Sequence, residues 1–348
     1  MVKIKETSND LFFKLLNTIG VSGNERNIRD LIKKEIKPYV DEIKIDNLGN
    51  LIARKKGPKP RVMLAAHMDE VGLAVRHIHK SGRIKIETVG GVDSLTLLGQ
   101  QISLDMGNNK QIRGVISSEE LSTGQIMEEI PELHNLFVDT GLTKKELLKM
   151  GLSKGTPITF DPNACYLGKK DIVMSKAVDD RAGCFILIEL AKRLKNKKAE
   201  IFYVFTVQEE VGLYGARTSA YSVEPDWGIA VDVADAEDYA EDPVITVGGG
   251  PVITVMDSEL ISNKSINGWI EQASKKLKIP LQKSVNTAGT TDATDIALSR
   301  GGVPSTVLGV AVRNMHSAVG VVSMSDIDEA VAVLHELLKN PKKKTEVN

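Results

Sequence analysis

The chain has 348 residues, of which 42% are hydrophobic and 26% charged, with a net charge of −1 at pH 7. That is enough chain for two domains and a large core, and it is not the composition of a disordered polypeptide. The near-zero charge supplies no basic field for phosphates and argues against a nucleic-acid partner, and no apolar run has the length of a membrane span.

Cys165 and Cys184 lack any Cys-x-x-Cys spacing and read as reduced thiols of a cytoplasmic protein. Met1–Lys5 has no apolar leader core. The basic run from Lys339 to Lys344 reads as a solvated end.

Residues 8–17 pattern as an amphipathic helix. The stretch Gly20-Val21-Ser22-Gly23-Asn24-Glu25 breaks it, and a second helix runs to about Lys37. Strands near 42–46 and 51–55 flank Asp46–Asn50, which has hairpin turn chemistry. The apolar run Val62–Ala65 predicts a buried parallel strand ending at His67.

From about 70 to 165 the texture changes. Short alternating segments (Ile84–Thr88, Gln101–Leu104, Ile112–Ile116, Phe137–Val138 and Ile158–Phe160) are separated by Gly, Asn and Asp, with one helical piece at Thr143–Met150. This predicts a small all-β domain, 70–165, inserted into an α/β chain made of 1–69 and 166–348. The α/β alternation returns with a helix over 180–195, the near-continuous apolar strand Ile201–Val207 and a strand at Trp227–Val231. Helices near 262–277, 292–300 and 325–339 follow, with strands near 281–286 and 303–310.

Five polar points sit at the ends of these elements: His67, Asp179-Asp180, Glu209-Glu210, Asp232 and His316. Strand ends are where open α/β sheets place ligands. Asp69, two residues after His67, is positioned to accept the imidazole's second N–H, the usual support of a metal-bound His. Each piece has an ordinary alternative: a helix N-cap for Asp179-Asp180, a solvated turn for Glu209-Glu210, a loop acid for Asp232, a core imidazole for His316. Jointly they favour a site, because carboxylates gathered at one sheet edge repel unless cations neutralise them. Two histidines with three or four carboxylates suit a pair of divalent ions such as Zn²⁺ or Co²⁺. Such a pair, about 3.5–4 Å apart, clamps a hydrolytic transition state.

The segments His67-Met68-Asp69-Glu70-Val71-Gly72, Asp179-Asp180-Arg181-Ala182-Gly183, Gln208-Glu209-Glu210-Val211-Gly212, Val231-Asp232 and His316-Ser317 resemble the glutamyl/deblocking aminopeptidases. These are dinuclear metallopeptidases that build tetrahedral (TET) particles, the forty-second metallopeptidase family. The likeness runs from about residue 8 to 340 and includes Thr291-Asp292-Ala293 and Gly301-Gly302-Val303-Pro304.

The resemblance implies a zinc-peptidase-type mixed central sheet flanked by helices, with 70–165 as a barrel-like dimerisation domain. It implies that Asp179 bridges two metals, that His67 and Asp232 complete one site, and that Glu210 and His316 complete the other. Glu209 is then the general base, Asp69 the orienting acid, and Asp180 a shaper of the turn. The implied activity is removal of N-terminal residues from short peptides by hydroxide attack, in dimers assembled into a homododecamer. N-acyl deblocking or an amidohydrolase activity on the same site and a scaffold without catalysis are the competing functions, and a dinuclear site with one base lacks the paired-carboxylate geometry of a glycosidase.

Three departures from the family pattern stand out. Ser117–Gln125 replaces a loop in which many relatives carry Pro-Pro-His. Val247-Gly248-Gly249-Gly250-Pro251 has Gly where relatives often have Lys, and Ser317-Ala318-Val319-Gly320 has Ala for Pro. Asp238, Glu237, Glu241 and Asp242 would favour basic substrates if they lined the pocket, and form a solvated loop otherwise. His77 and His79 read as a solvated strand face, and Gly248–Gly250 as a turn without the Lys-Ser/Thr of a phosphate loop.

Overall fold

The computed structural model describes residues 6–343 except 108–109, 125–128 and 196. The readings placed on Met1–Lys5, Gln125 and Lys344 lie outside the described residues. Helix α1 (Glu6–Asn17) is followed by α2 (Arg26–Ile36), which turns Ile28, Ile32 and Ile36 inward at a spacing of one helical turn. The hairpin β1 (Glu42–Ile45) and β2 (Leu51–Lys55) leads to β3 (Arg61–His67).

A closed barrel comes next. Its strands are β4 (Gly72–Ile78), β5 (Ile84–Val89), β6 (Gln101–Asp105), β7 (Gln111–Ser117), β8 (Phe137–Asp139) and β9 (Pro157–Phe160), in the order β4-β5-β8-β7-β6-β9. Two short helices, α3 (Glu119–Thr123) and α4 (Lys144–Lys149), lie between its strands. Alternate residues such as Leu73 and Val75, Ile84 and Ile86, and Ile102 and Leu104 fill the barrel as a core of their own.

The chain then makes β10 (Cys165–Tyr166), β11 (Ile172–Ser175), α5 (Val178–Arg193), β12 (Glu200–Thr206), α6 (Tyr214–Val223), β13 (Trp227–Ala230) and β14 (Val233–Asp235). It ends with β15 (Val252–Met256), α7 (Lys264–Leu277), β16 (Gln282–Val285), α8 (Asp292–Ala297), β17 (Ser305–Arg313), β18 (Gly320–Ser323) and α9 (Met324–Lys339). The large mixed sheet runs β1-β2-β12-β3-β13-β17-β18-β11-β10, with β14 and β15 also on β17 and β16 on β15.

Its central four strands, β12, β3, β13 and β17, are parallel. Both faces of β3 are buried: Val62, Leu64 and Ala66 pack in the main core with α5, and Met63 and Ala65 pack with α6 and α8 on the other side. Near-continuous apolar sequence in β3 and β12 is what this two-sided burial requires. The result is an α/β fold with a mixed sheet between helices and a small closed barrel.

The expected elements recur with shifts of a few residues at their ends. Helices α3 and α6 and strands β10, β11, β14, β15 and β18 go beyond the sequence reading. Each strand among them is five residues or shorter and too brief to show a period. The expected strand 303–310 continues to Arg313, and the helix expected to reach 300 stops at Ala297.

Candidate metal centre and cavity

Parallel strands bring their C-terminal ends to one edge, and the candidate residues gather there. His67 is the last residue of β3; Glu209 and Glu210 follow β12; Asp232 lies between β13 and β14; His316 lies between β17 and β18; Asp179 opens α5. Gly309 of β17 lets the Asp232 turn close on the sheet, since a Cβ there would stand 1.6 Å from the Asp232 carbonyl oxygen.

Two donor groups form. His67, Asp179 and Asp232 offer ligand atoms within 4.8 Å of one another, and so do Asp179, Glu210 and His316. Asp179 belongs to both. His67 Nε2 stands 2.9 Å from Asp179 Oδ1 and 4.0 Å from Asp232 Oδ1. His316 Nε2 stands 3.3 Å from both Asp179 Oδ2 and Glu210 Oε2. Glu209 is in neither group, yet its Oε2 lies 4.0 Å from His67 Nε2 and it lines the same cavity.

The donor chemistry fits divalent cations. The His67 Nδ1–H donates to the Asp69 carbonyl oxygen at 3.1 Å, which leaves the Nε2 lone pair facing Asp179. A lone pair pointed at a carboxylate needs a proton or a cation between them. Glu210 Oε1 is buried and has no hydrogen-bond partner, which suits a cation-binding oxygen.

Electrostatics without an ion tell the same story. Burial, then the charge of Asp179, pushes Glu210 up to about 8, and burial pushes Asp232 up to about 6. Glu209 is raised well above the carboxylate range by burial and by the charges of Asp232, Asp292 and Glu210. His316 is raised to about 9, first by its hydrogen bond to Asp179. Burial works against a charged His67, but Glu209 and Asp179 outweigh it and hold its pKa well above the ordinary value. Burial would raise Asp179, yet hydrogen bonds from His316 and His67 hold it below the usual range.

Asp69 acts differently from the sequence expectation. Its carboxylate is 3.6 Å from His67 Nδ1, too far for a hydrogen bond, and it is the backbone carbonyl that receives the ring N–H. The carboxylate instead accepts from the Glu209 and Glu210 backbone N–H groups and from the Ser22 hydroxyl. Glu25, buried, accepts from the Gln208 N–H at 3.2 Å. The turn Gly20–Glu25 thus supports the Glu pair. Asp180 Oδ1 accepts from the Gly183 N–H at 2.9 Å, which places Asp180 in the turn that starts α5.

Ala177, Gln208, Asn314 and His316 have positive φ without being glycine. Such backbone is uncommon and concentrates at functional sites, where surrounding structure holds it.

A cavity of about 360 Å³ opens over the centre. Besides the ligand candidates its wall includes Asp235, Thr254, Asp257, Ser284 and Asn286. Asp238, Glu237, Glu241 and Asp242 do not line it; Asp238 accepts from the Val247 N–H at 2.9 Å and pairs with Arg313. His77 and His79 join neither donor group. The Gly248 and Gly250 N–H groups donate to Asp326 at 2.7 and 3.0 Å, so a carboxylate already occupies the position a phosphate would take.

The sequence reading missed one buried cluster outright. Lys176 Nζ donates to Glu70 Oε2 at 2.6 Å, while Glu70 Oε1 accepts from the Gly20 N–H and the Thr159 hydroxyl. Arg181 donates to the carbonyls of Leu15, Thr18 and Met68. These side chains tie the α1 end, the β3 loop, barrel strand β9 and α5 together. Lys176 and Arg181 lie beside the Asp179-Asp180 motif, and nothing in their spacing marks them as buried.

The family model of the M42 glutamyl aminopeptidases matches residues 49–333. The chain belongs to the M42 glutamyl aminopeptidase family. It is 35% identical to the lysyl aminopeptidase of Pyrococcus furiosus, over 96% of this chain and 97% of that one. A solved aminopeptidase from Desulfurococcus kamchatkensis superposes with a TM-score of 0.91 at 35% identity, covering 95% and 94% of the two chains. The Pyrococcus horikoshii TET1 peptidase, described as able to assemble into a tetrahedron or a large octahedral shell, gives 0.85 at 28% identity over 95% and 98%.

This M42 chain is therefore a peptidase, a hydrolase, with residues suited to metal. Among its described residues no helix is long and apolar enough to cross a membrane. The M42 loop that departs from Pro-Pro-His carries the short helix α3, capped by the Ser118 hydroxyl on the Leu121 N–H.

Proposed function

We propose that this M42 peptidase is a dinuclear aminopeptidase that removes N-terminal residues from short peptides. One observation carries the reading: Asp179 belongs to both donor groups while Glu209 belongs to neither and shares their cavity. His67 and Asp232 would hold one divalent cation, Glu210 and His316 the other, with Asp179 common to both; Zn²⁺ and Co²⁺ suit these donors. When bound, the metals polarise the scissile carbonyl and acidify water.

Glu209 takes the proton from the attacking water and returns it to the leaving amine. Its carboxylate is buried in the cavity wall beside both donor groups, where it can reach a substrate held there. The Asp69 carboxylate positions the Glu209–Glu210 turn, and the Asp69 carbonyl fixes the His67 tautomer. Asp180 holds the turn behind the bridging ligand.

Residues 1–69 and 166–348 form the catalytic domain in this proposal, and 70–165 the dimerisation domain. Exposed Leu95, Leu121, Leu148 and Met150 on the inserted segment supply apolar surface for a second copy. Dimers assembling into a homododecamer would admit small peptides and exclude folded proteins. The free thiols of Cys165 and Cys184 fit a cytoplasmic location.

The test is hydrolysis of aminoacyl anilides and of free and N-acetylated peptides by protein stripped with chelator and reloaded with Zn²⁺ or Co²⁺. Metal-restored cleavage of free N-termini alone supports the proposal. Cleavage of blocked peptides would replace it with deblocking, and no metal-dependent cleavage would refute it.

A further inference from the structure

The two donor groups are held by different parts of the molecule. The first takes His67 from the end of β3 and Asp232 from beyond β13, both buried at the edge of the large sheet. The Asp69 carbonyl fixes the His67 ring through its Nδ1–H. The second group takes His316 from the loop between β17 and β18, with its side chain 37% exposed. A loop imidazole that open to solvent needs support from outside its own loop to keep one orientation.

The inserted segment supplies that support at two places. After β5 the chain turns through Gly90 and Gly91. A Cβ at Gly91 would stand 3.1 Å from His316 Nδ1 and 3.4 Å from its Cε1. A Cβ at Gly90, where φ is +82°, would stand 3.3 Å from Glu210 Cβ. Glycine lets this backbone lie against both ligand candidates, and Gly91 also lines the cavity. The ring is therefore backed at Nδ1 while Nε2 faces Asp179 and Glu210.

The second place lies beyond β9. Asn163 Nδ2 donates to the carbonyl of Ala318, two residues past His316, at 2.7 Å. Asn163 Oδ1 accepts from the Lys176 N–H at 2.9 Å, three residues before Asp179. The Ala318 side chain is buried in the barrel's own core. Within the loop, the Ser317 hydroxyl donates to the Asn314 carbonyl and accepts from the Val319 N–H. Those bonds fold the loop on itself; Asn163 and Ala318 attach it to the barrel.

We propose that the barrel is part of the hydrolytic centre: Asn163 and the Gly90–Gly91 turn are positioning residues for His316 and Glu210, and the second cation depends on them while the first does not. The inference rests on the dinuclear reading of the site.

The test is stepwise calorimetric titration of chelator-stripped protein with Co²⁺, with bound metal counted by elemental analysis, in wild type, Gly91→Ala and Asn163→Asp. Gly91 lies outside the left-handed region, so alanine keeps the backbone and adds only a methyl beside the imidazole. Aspartate keeps the acceptor for the Lys176 N–H and loses the donor to Ala318. Wild-type protein should bind two equivalents. Each variant should bind the first as wild type does and the second about 10–100-fold more weakly. Gly268→Ala, on α7 with nothing near its Cβ position, should leave both steps unchanged.

An unchanged second step in Gly91→Ala overturns the role of the turn, and in Asn163→Asp the role of Asn163. Equal weakening of both steps overturns the proposal as well, because it marks a general loosening of the fold. A wild-type protein that takes up a single equivalent refutes the dinuclear reading itself. If Asn163→Asp does not fold, Gly91→Ala decides.

Discussion

Asp69 holds Glu209 by its backbone: Oδ1 accepts the Glu209 N–H at 3.1 Å, and Oδ2 accepts the next N–H, that of Glu210, at 3.2 Å. One carboxylate on the β3 loop thereby sets the position of the proposed base and of a proposed ligand. Asp69→Asn would turn an NH₂ toward one of these N–H groups. It should lower kcat/KM about 10–100-fold, the usual effect of disturbing residues that support a metal site. Steady-state kinetics and metal titration check this; wild-type values in both would contradict it.

Glu209→Gln separates binding from proton transfer. The side chain is outside both donor groups, so metal content and assembly should persist while turnover falls by about 10³-fold. Elemental analysis and anilide hydrolysis measured together decide the matter, and retained activity would remove Glu209 as the base.

Stripped of metal, the folded protein should lose stability as pH rises. Glu210 at about 8 and Asp232 at about 6 sit above the unfolded carboxylate range near 4, and His316 at about 9 sits above the unfolded histidine near 6.5. The folded state therefore binds more protons than the unfolded state across roughly pH 4–8, and stability falls as pH climbs through that window. Asp179, held low, acts in the opposite sense only in stronger acid. The chelated protein should melt lower at pH 8 than at pH 6, and added metal should raise the melting temperature most at pH 8, where the ligands lose their protons. A pH-independent melt of the chelated protein would refute this.

The Glu70–Lys176 pair predicts a stability defect outside the metal centre. Both side chains are buried, and Glu70 also holds Gly20 and Thr159. Glu70→Ala strands the Lys176 ammonium and should destabilise the fold by about 3–5 kcal/mol. Urea unfolding of both proteins in excess chelator measures it, and a change under about 1 kcal/mol would show that the pair is dispensable.

The sequence made the large sheet legible because β3 and β12 must be apolar on both faces, and it made the barrel legible because its strands are apolar on one. His67, Asp179, Glu209, Glu210, Asp232 and His316 stood out because each falls at an element's end. The place of Asp257 in the cavity wall was not legible, since it depends on the turn after β15. The acidic run Glu237–Asp242 left a pocket lining and a loop equally open, and the loop reading holds: Arg313 engages Asp238 and none of the four acids lines the cavity. Lys176 carried no periodic clue because its burial depends on Glu70, far away in the chain.

Strand β17 joins β13 and β15 along its edges and later β14 and β18. Asp232 crosses beside its Gly309, His316 comes three residues after its end, and β15 delivers Asp257. A redesign of substrate preference should therefore leave this strand alone. A shift in it would move both candidate donor groups and the β15 side of the cavity wall together.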